Sequence, residues 1–441
     1  MTTRLTRLTG LAMLFGSRLA GITVSLVFMP LYARLLGAHD FGLVALVLSM
    51  QALMIMLDLG MSALTTRDLA ASKSSSASIG QWKQSEKVLS VYFLALLLPS
   101  MVIGALLDQS TILVAACIAL FWALTLQNLA QAAMIALGDV NRAALLQVFG
   151  VLTRAALTAG TLIWIEASVQ AFVAVQLLGA IAHLAANRHF GQRQLKLVSH
   201  APAEPLIELV RRGLPLFLVG AAGAAVLQVD KLLVGTFIGP AALAPYFLAT
   251  TFCLTPIAVL AGPVVQFFQP PLIRAFTSGE AVALRRCTQN LTIALLTAVL
   301  LPTAALWLIR EPLIEWWLQD RELASRVAAM STFLLPAAAV GAIGNVPLAL
   351  LNARSDFAFQ ARLSAGLTVV TLTAVAFAAS QKQLLMVCWI FLGYYTLVTA
   401  CLWWRAGLNS STQKVAVQSG ALSLTATLLT CMSIAIALNL Q

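Results

Sequence analysis

Apolar residues in this chain come in runs of twenty or more, separated by short polar turns. Such runs lie at 8–33, 41–64, 88–107, 111–137, 143–165 and 169–186. A polar, basic stretch, NRHFGQRQLKLVSHAPAEPLIELVRR, follows at 187–212. Six more runs occupy 213–238, 244–276, 290–309, 327–352, 357–379 and 384–404, and a Ser/Thr-rich run closes the chain at 415–438. A helix rises about 1.5 Å per residue, so about 20 apolar residues cross the hydrocarbon of a bilayer. The pattern predicts an all-α polytopic membrane protein built of two six-helix lobes, with a thirteenth C-terminal span. The N-terminal lobe is 1–186, the basic cytoplasmic linker 187–212 and the C-terminal lobe 213–404. Residues 405–441 form a cytoplasmic turn and the extra span.

Composition supports the same class. Hydrophobic residues make up 60% of the chain and charged residues 10%, with mean hydropathy +0.92. Soluble domains carry roughly 25% charged residues, so this set cannot build a water-facing surface. The net charge of +11 does not imply a nucleic-acid partner, because the basic residues fall mainly in short loops. With the N-terminus in the cytoplasm, 18 of the 27 Lys and Arg lie in inside segments and 4 or 5 outside. That asymmetry is the positive-inside pattern. The first apolar run is too long for a removable signal and lacks a small-residue cleavage site, so it is expected to stay as a helix. The six cysteines show no CxxC or Cys/His ligand spacing, and neither disulfides nor a metal site are expected.

The two halves read as copies. PLYARLLGAHDFGLV at the end of the first span overlays LLVGTFIGPAALAPY at the end of the seventh, placing Gly37 and Gly239 at equivalent outside turns. Asn128 and Asp139 recur as Asn345 and Asp356, with Asp in the cytoplasmic turn each time. An even number of spans per copy gives both the same topology, related by an axis along the membrane normal.

Catalytic signatures are missing. No GxxxxGK[ST], GxSxG or HExxH occurs, and no loop has room for a transferase domain. The longest outside loop, REPLIEWWLQDRELASR, is far short of one. The chain reads as a carrier, not an enzyme, with no cofactor beyond a coupling H+ or Na+.

Charges inside the spans carry the functional information, since ionisable groups at membrane depth face the protein interior or water by default. Arg18, Arg154, Lys231 and Arg362 are the cations, and Asp58 and Asp230 the acids. Four against two leaves an excess of two positive charges, which fits a wet cavity that receives an anion. Neighbouring helical residues point about 100° apart, so Asp230 and Lys231 are expected to face different partners. Arg362 lies near the inside end of its span and has a snorkelling alternative. Asp58 sits in the turn-like LDLG, where capping or pairing with Arg67 competes with an ion-coupling role. Asp230 is either a structural partner or a coupling site. His183 reads as a satisfied core histidine. The prolines of the eighth span (Pro256, Pro263, Pro270, Pro271) and of the tenth (Pro336, Pro347) predict kinks that serve either as hinges or as static packing.

The segment from Arg18 to Ala70 closely resembles the start of Wzx-type polysaccharide flippases. The resemblance rests on Pro30, Leu35–Gly37 followed by Phe41 and Gly42, the LDLG of Leu57–Gly60, and Arg67 with Ala70. VDKLLVGTFIGPAALAPYFLA, from Val229 to Ala249, is similar to the aspartate-containing segment of that family. The resemblance implies the multidrug/oligosaccharidyl-lipid/polysaccharide exporter superfamily, V-shaped with two six-helix lobes around a central cavity. It implies a substrate linked to undecaprenyl diphosphate, moved from the inner to the outer leaflet of the bacterial plasma membrane, with coupling to a proton or sodium gradient. Membrane lipids, a polysaccharide polymerase and chain-length proteins are the implied partners. The thirteenth span departs from a plain twelve-span member. On this reading Arg18, Arg154, Lys231 and Arg362 bind the diphosphate, and Asp230 and Asp58 are the ion-coupling candidates. The rival is a cation-coupled drug or metabolite antiporter of the same fold, which would want an acidic cavity. A glycan polymerase or ligase ranks third, for lack of an outside domain.

Overall fold

The computed structural model describes residues 2–71, 75–106, 110–137, 139–193 and 205–439. Side chains at 2–22, 25, 67, 70–71, 75–79, 81, 140, 191–193, 215–216, 218–220, 222–223, 270, 410–411 and 428–439 lie outside the description. Among the described residues every regular element is an α-helix. The helices are α1 (Thr2–Met56), α2 (Met61–Ala71), α3 (Ser75–Leu106), α4 (Thr111–Ala136), α5 (Val140–Trp164), α6 (Val169–Arg193), α7 (Leu206–Phe237) and α8 (Pro240–Thr277). They continue with α9 (Ala281–Leu308), α10 (Arg310–Leu318), α11 (Arg321–Ile343), α12 (Asn345–Ala353), α13 (Phe357–Ser380), α14 (Leu384–Gly407) and α15 (Ser410–Asn439). Ten helical stretches among the described residues are long and apolar enough to cross a membrane. The chain is a multi-pass membrane protein. The first half of α1, α7 and α15, which carry the other predicted spans, each include residues whose side chains lie outside the description.

Glycine sets the breaks. α1 is two helices meeting at Gly37, whose φ of 75° is a left-handed value that costs a side-chain-bearing residue energy. Gly239, at φ 117°, makes the equivalent turn between α7 and α8. The second predicted match holds as well, since Asp139 and Asp356 are the N-cap residues of α5 and α13. Each is ion-paired there, Asp139 with Arg142 at 3.1 Å and Asp356 with Arg405 at 2.8 Å. α8 runs helical through Pro256, Pro263, Pro270 and Pro271, so those prolines do not interrupt it. The predicted tenth span is broken at Gly344, between α11 and α12.

The chain divides into two compact units, Met1–Gly235 and Thr236–Gln441. The boundary falls in the last turn of α7, whose start is docked on the first unit. Leu206, Leu209 and Val210 join a core with Met61, Leu64, Trp82, Leu126 and Leu129. Arg212 pairs with Asp68. A Cβ on Gly213 would stand 2.4 Å from the Leu59 carbonyl oxygen, so only glycine lets α7 approach that closely. In the first unit α4, which carries no charged residue, is the helix against which α2, α3 and α6 pack. In the second unit the α11–α12 stretch is central, 72% buried against 17–44% for the other crossing helices. Lipid is as apolar as leucine, so these helices associate through close packing at small residues and through interhelical hydrogen bonds.

Candidate functional site

Asp58 and Asp230 are both engaged. The chain leaves helical geometry at Leu57–Gly60, with positive φ at Leu59 and Gly60. Asp58 starts α2 there. Its Oδ1 accepts from the Gly60 amide at 3.0 Å and its Oδ2 from the Ser62 amide at 2.9 Å. Those amides would otherwise be orphans at a helix N-terminus, and a carboxylate suits that position. The geometry is that of a cap.

Asp230 and Lys231, expected to face apart, meet. The Lys231 ammonium donates to the Leu227 carbonyl one turn earlier at 2.6 Å and lies 3.3 Å from Asp230 Oδ1. Both residues are buried. The expectation failed because it considered Cβ directions alone. A four-carbon stem lets the ammonium fold back along the helix to its neighbour's carboxylate. The pair cancels its own charge locally, and a buried pair of this kind is costly to break.

Arg362 stands on the exposed surface of α13, its Nε donating to the Ala358 carbonyl at 3.1 Å. Exposure of this kind suits either a headgroup-facing or a cavity-facing arginine. The Arg18 side chain lies outside the described residues.

Arg154 remains. It projects from α5 toward α6 at Gly179, where a Cβ would stand 3.0 Å from Arg154 Cγ. Its Nη1 is buried with no hydrogen-bond partner, and no carboxylate pairs with it among the described residues. One turn toward the start of α5, the relation is reversed. His183 of α6 enters a notch at Gly150, where a Cβ would stand 2.1 Å from His183 Nδ1. His183 is 5% exposed, and neither ring nitrogen completes a hydrogen bond, although the Leu146 backbone interacts with the ring. One turn the other way, Gln176 of α6 donates to the Thr158 hydroxyl at 3.2 Å, and Thr158 donates to the Arg154 carbonyl at 2.8 Å. Tyr32 of α1 closes that end, its hydroxyl donating to the Ala155 carbonyl at 3.0 Å.

These contacts form one antiparallel register: Thr158 with Gln176, Arg154 with Gly179, Gly150 with His183. Gln147 extends it on α5, accepting from Gln127 of α4 at 3.4 Å, and Asn187 extends it on α6 with a buried amide nitrogen that has no partner. From Gln176 to Asn187 the stripe runs about 16 Å along α6. Sequence reasoning picked out Arg154 and set His183 aside as satisfied. It missed Tyr32, Gln176, Asn187 and both glycines. The signal was present, since 147, 150, 154, 158 and 176, 179, 183, 187 each recur at helical spacing on one face.

A separate cleft of about 560 Å³ opens between α10 and α11, lined by Glu311, Glu315, Arg321, Ser325 and Thr332 among others. None of the predicted site residues lines it. At the end of α12, Asp356 is held by Arg405 and by Arg354 at 3.6 Å. The hydrogen bond from Arg405, with the charges of both arginines, keeps its carboxyl below the usual carboxylate range against the opposing effect of desolvation.

Comparison with solved structures gives the fold. A multidrug resistance MATE family transporter of the MOP superfamily, inward-facing, superposes with TM-score 0.69 at 13% identity, covering 93% of this chain and 99% of that one. The lipid II flippase MurJ in an inward closed conformation gives TM-score 0.70 at 12% identity, with 97% and 98% covered. A MOP superfamily transporter from Pyrococcus furiosus, described as having a binding pocket of reverse polarity, gives 0.63 at 13%, with 94% and 96% covered. Among curated proteins no sequence match is found. The polytopic transporter fold is therefore shared with a multidrug resistance MATE family transporter and with a lipid II flippase. A family described as polysaccharide biosynthesis protein matches residues 8–276, more than half of the 441, and the chain belongs to that family.

Proposed function

We propose that the protein is a flippase that moves undecaprenyl-diphosphate-linked oligosaccharide units from the inner to the outer leaflet of a bacterial plasma membrane. The units feed synthesis of a cell-surface polysaccharide. The N-terminus lies in the cytoplasm, as the distribution of Lys and Arg argues. The observation that carries this reading is Arg154, partly buried on α5, whose buried Nη1 has no hydrogen-bond partner. Leaving such a group unpaired costs several kcal/mol, so a role in folding alone gives no reason to keep it. A diphosphate supplies what it lacks, two or more negative charges and acceptor oxygens for a planar fork of donors.

The remaining predicted residues divide by their surroundings. Arg18 stays with Arg154 in the proposed anion-binding set. Lys231 contributes only when it leaves Asp230, and Asp58 serves α2 in place of ion coupling. Alternating access moves the headgroup through the protein while the polyprenyl tail stays in lipid. Polymerase and chain-length proteins on the outer face are the natural recipients.

The test is flipping of a fluorescent lipid-diphosphate oligosaccharide in proteoliposomes of the full chain. Flipping that inorganic diphosphate inhibits and small organic cations do not is expected. Exchange of cationic drugs or metabolites for protons or sodium, with no movement of the lipid, would replace this reading with the antiporter one.

A further inference from the structure

The cleft in the second unit is walled by a short helix that is pinned on one face and open on the other. α10 buries Ile314 and Leu318, and Trp317 meets Phe252 of α8 with ring centroids 5.6 Å apart. Gln319, left-handed at φ 52°, turns the chain, and Asp320 caps α11 by accepting from the Leu323 amide at 3.1 Å. The two helices are thereby fixed side by side. Glu311 and Glu315, one turn apart on α10, line the cleft of about 560 Å³ together with Arg321, Ser325 and Thr332 of α11. Three alanines of α11, Ala324, Ala328 and Ala329, lie among those polar groups. We propose that this cleft is a saccharide-binding site that takes an uncharged sugar on the outer side of the membrane. The proposal rests on the transport reading above and deepens it.

The lining selects that ligand by what it offers and what it lacks. Charge at the cleft cancels in pairs, since Glu315 accepts from Arg321 Nε at 2.8 Å and Glu311 from Arg310 Nη2 at 3.0 Å. A site of balanced charge has no net attraction for a metal ion, a phosphate or an organic cation. Among the described residues no aromatic or large aliphatic side chain lines it, so an apolar drug or a polyprenyl chain finds little to bury against. What the cleft does present is carboxylate acceptors, a guanidinium donor and two hydroxyls, set around small methyl groups. Thr332 donates to the Ala328 carbonyl at 3.2 Å and keeps its lone pairs for a ligand hydroxyl. Those are partners for the hydroxyls and the C–H face of a sugar ring.

Size and pliability agree with this assignment. The cleft volume falls within the range of small-molecule sites, about 300–1,000 Å³. From Arg321 to Thr332 its α11 wall runs about 16 Å. The Arg321 side chain is 93% exposed and that of Glu315 51%, and an ion pair so exposed is weak. Both partners can therefore turn onto ligand hydroxyls at little cost. With the N-terminus in the cytoplasm, the connection between α10 and α11 falls on the outer side. A saccharide meets the cleft there after crossing, either still on its lipid or already joined into polymer. Sugar recognition then belongs to the second unit and diphosphate recognition, at Arg154, to the first.

The experiment probes the full-length protein in nanodiscs with an array of free bacterial oligosaccharides that carry neither lipid nor phosphate, comparing wild type with Ser325→Trp. Ser325 is exposed, so the tryptophan fills the cleft without entering the core, and thermal melting checks that the fold is kept. We expect wild type to bind uncharged oligosaccharides and Ser325→Trp to bind them roughly tenfold or more weakly. Glu311→Gln and Thr332→Val should each weaken binding about 3- to 10-fold. Inorganic diphosphate, titrated separately, should bind Ser325→Trp as it binds wild type. A wild type that binds no oligosaccharide on the array, or binds acidic ones alone, would overturn the proposal. So would Ser325→Trp binding as tightly as wild type. Flipping of the lipid-diphosphate oligosaccharide separates the two sources. Slower flipping by Ser325→Trp assigns the cleft to the cargo, and unchanged flipping with lost sugar binding assigns it to glycan already outside. Sugar binding at the cleft by a wild type that flips no lipid would count against the flippase reading and leave the saccharide site in place.

Discussion

Two helix pairs, one in each unit, use the same packing device for different contents. In the second unit, Gly341 and Gly344 form notches on the α11 side that admit Tyr395 and Thr399 of α14. A Cβ on Gly341 would stand 2.5 Å from Tyr395 Cδ1, and one on Gly344 2.6 Å from Thr399 Oγ1. Thr399 donates to the Val340 carbonyl at 3.1 Å, so this hydroxyl is satisfied within the pair. In the first unit, Gly150 and Gly179 admit His183 and Arg154, and there the polar atoms are left wanting. A glycine notch alone is thus a way to bring helices together in lipid, where small residues give close approach. What separates the two regions is unmet polar valence, which one pair lacks at Thr399 and the other carries as a cation and an imidazole.

Substitutions can break this comparison. The largest expected effect is Arg154→Ala on flipping. A hydrogen bond to a charged group is worth about 1.5–3 kcal/mol, so the rate should fall roughly 10- to 100-fold. Next come the notches themselves. Gly150→Ala and Gly341→Ala both overpack, each costing about 1–3 kcal/mol in thermal unfolding. Only Gly150→Ala is expected to slow flipping as well, because its notch adjoins Arg154. Thr399→Val should cost about 1 kcal/mol of stability through its lost bond to Val340 and leave flipping at the wild-type rate. A transport defect in Thr399→Val would erase the distinction between the two pairs.

The smallest effect concerns Asp356, outside the membrane at the corner before α13. Its carboxyl titrates lower in the folded protein than in the unfolded chain, where the ordinary value is about 3.9. The stabilisation is therefore present above that value and fades as pH falls through the lowered one. Melting curves below about pH 4 should converge for wild type and Asp356→Asn, with wild type slightly more stable at neutral pH.

How much of this was written in the sequence differs between fold and site. Hydropathy placed the helices because span length is set by bilayer thickness, a constraint that acts on each segment separately. Gly37, Gly239, Asp139 and Asp356 were readable for the same local reason, as turn and cap chemistry repeated in both halves. The Asp230–Lys231 contact was misread because it depends on the path of a flexible stem, which Cβ geometry does not define. The α8 prolines predict kinks, and the helix runs on through all four, because neighbours in the fold decide how far a helix bends at a proline. His183 was passed over since its lack of completed hydrogen bonds is a property of two helices in register. Spacing gave the face, but only packing shows that Gly150 lies opposite the imidazole and Gly179 opposite the guanidinium.

The central claim is that Arg154 is kept for an anionic substrate and not for folding. Arg154→Met tests it most directly, since methionine fills similar space with no charge. Melting temperature and flipping of lipid-diphosphate oligosaccharide would be measured on the same purified protein. The account predicts a melting temperature equal to or above wild type, because an unpaired buried charge is removed, together with loss of flipping. Flipping at the wild-type rate, or a collapse in stability that accounts for the loss, would contradict it.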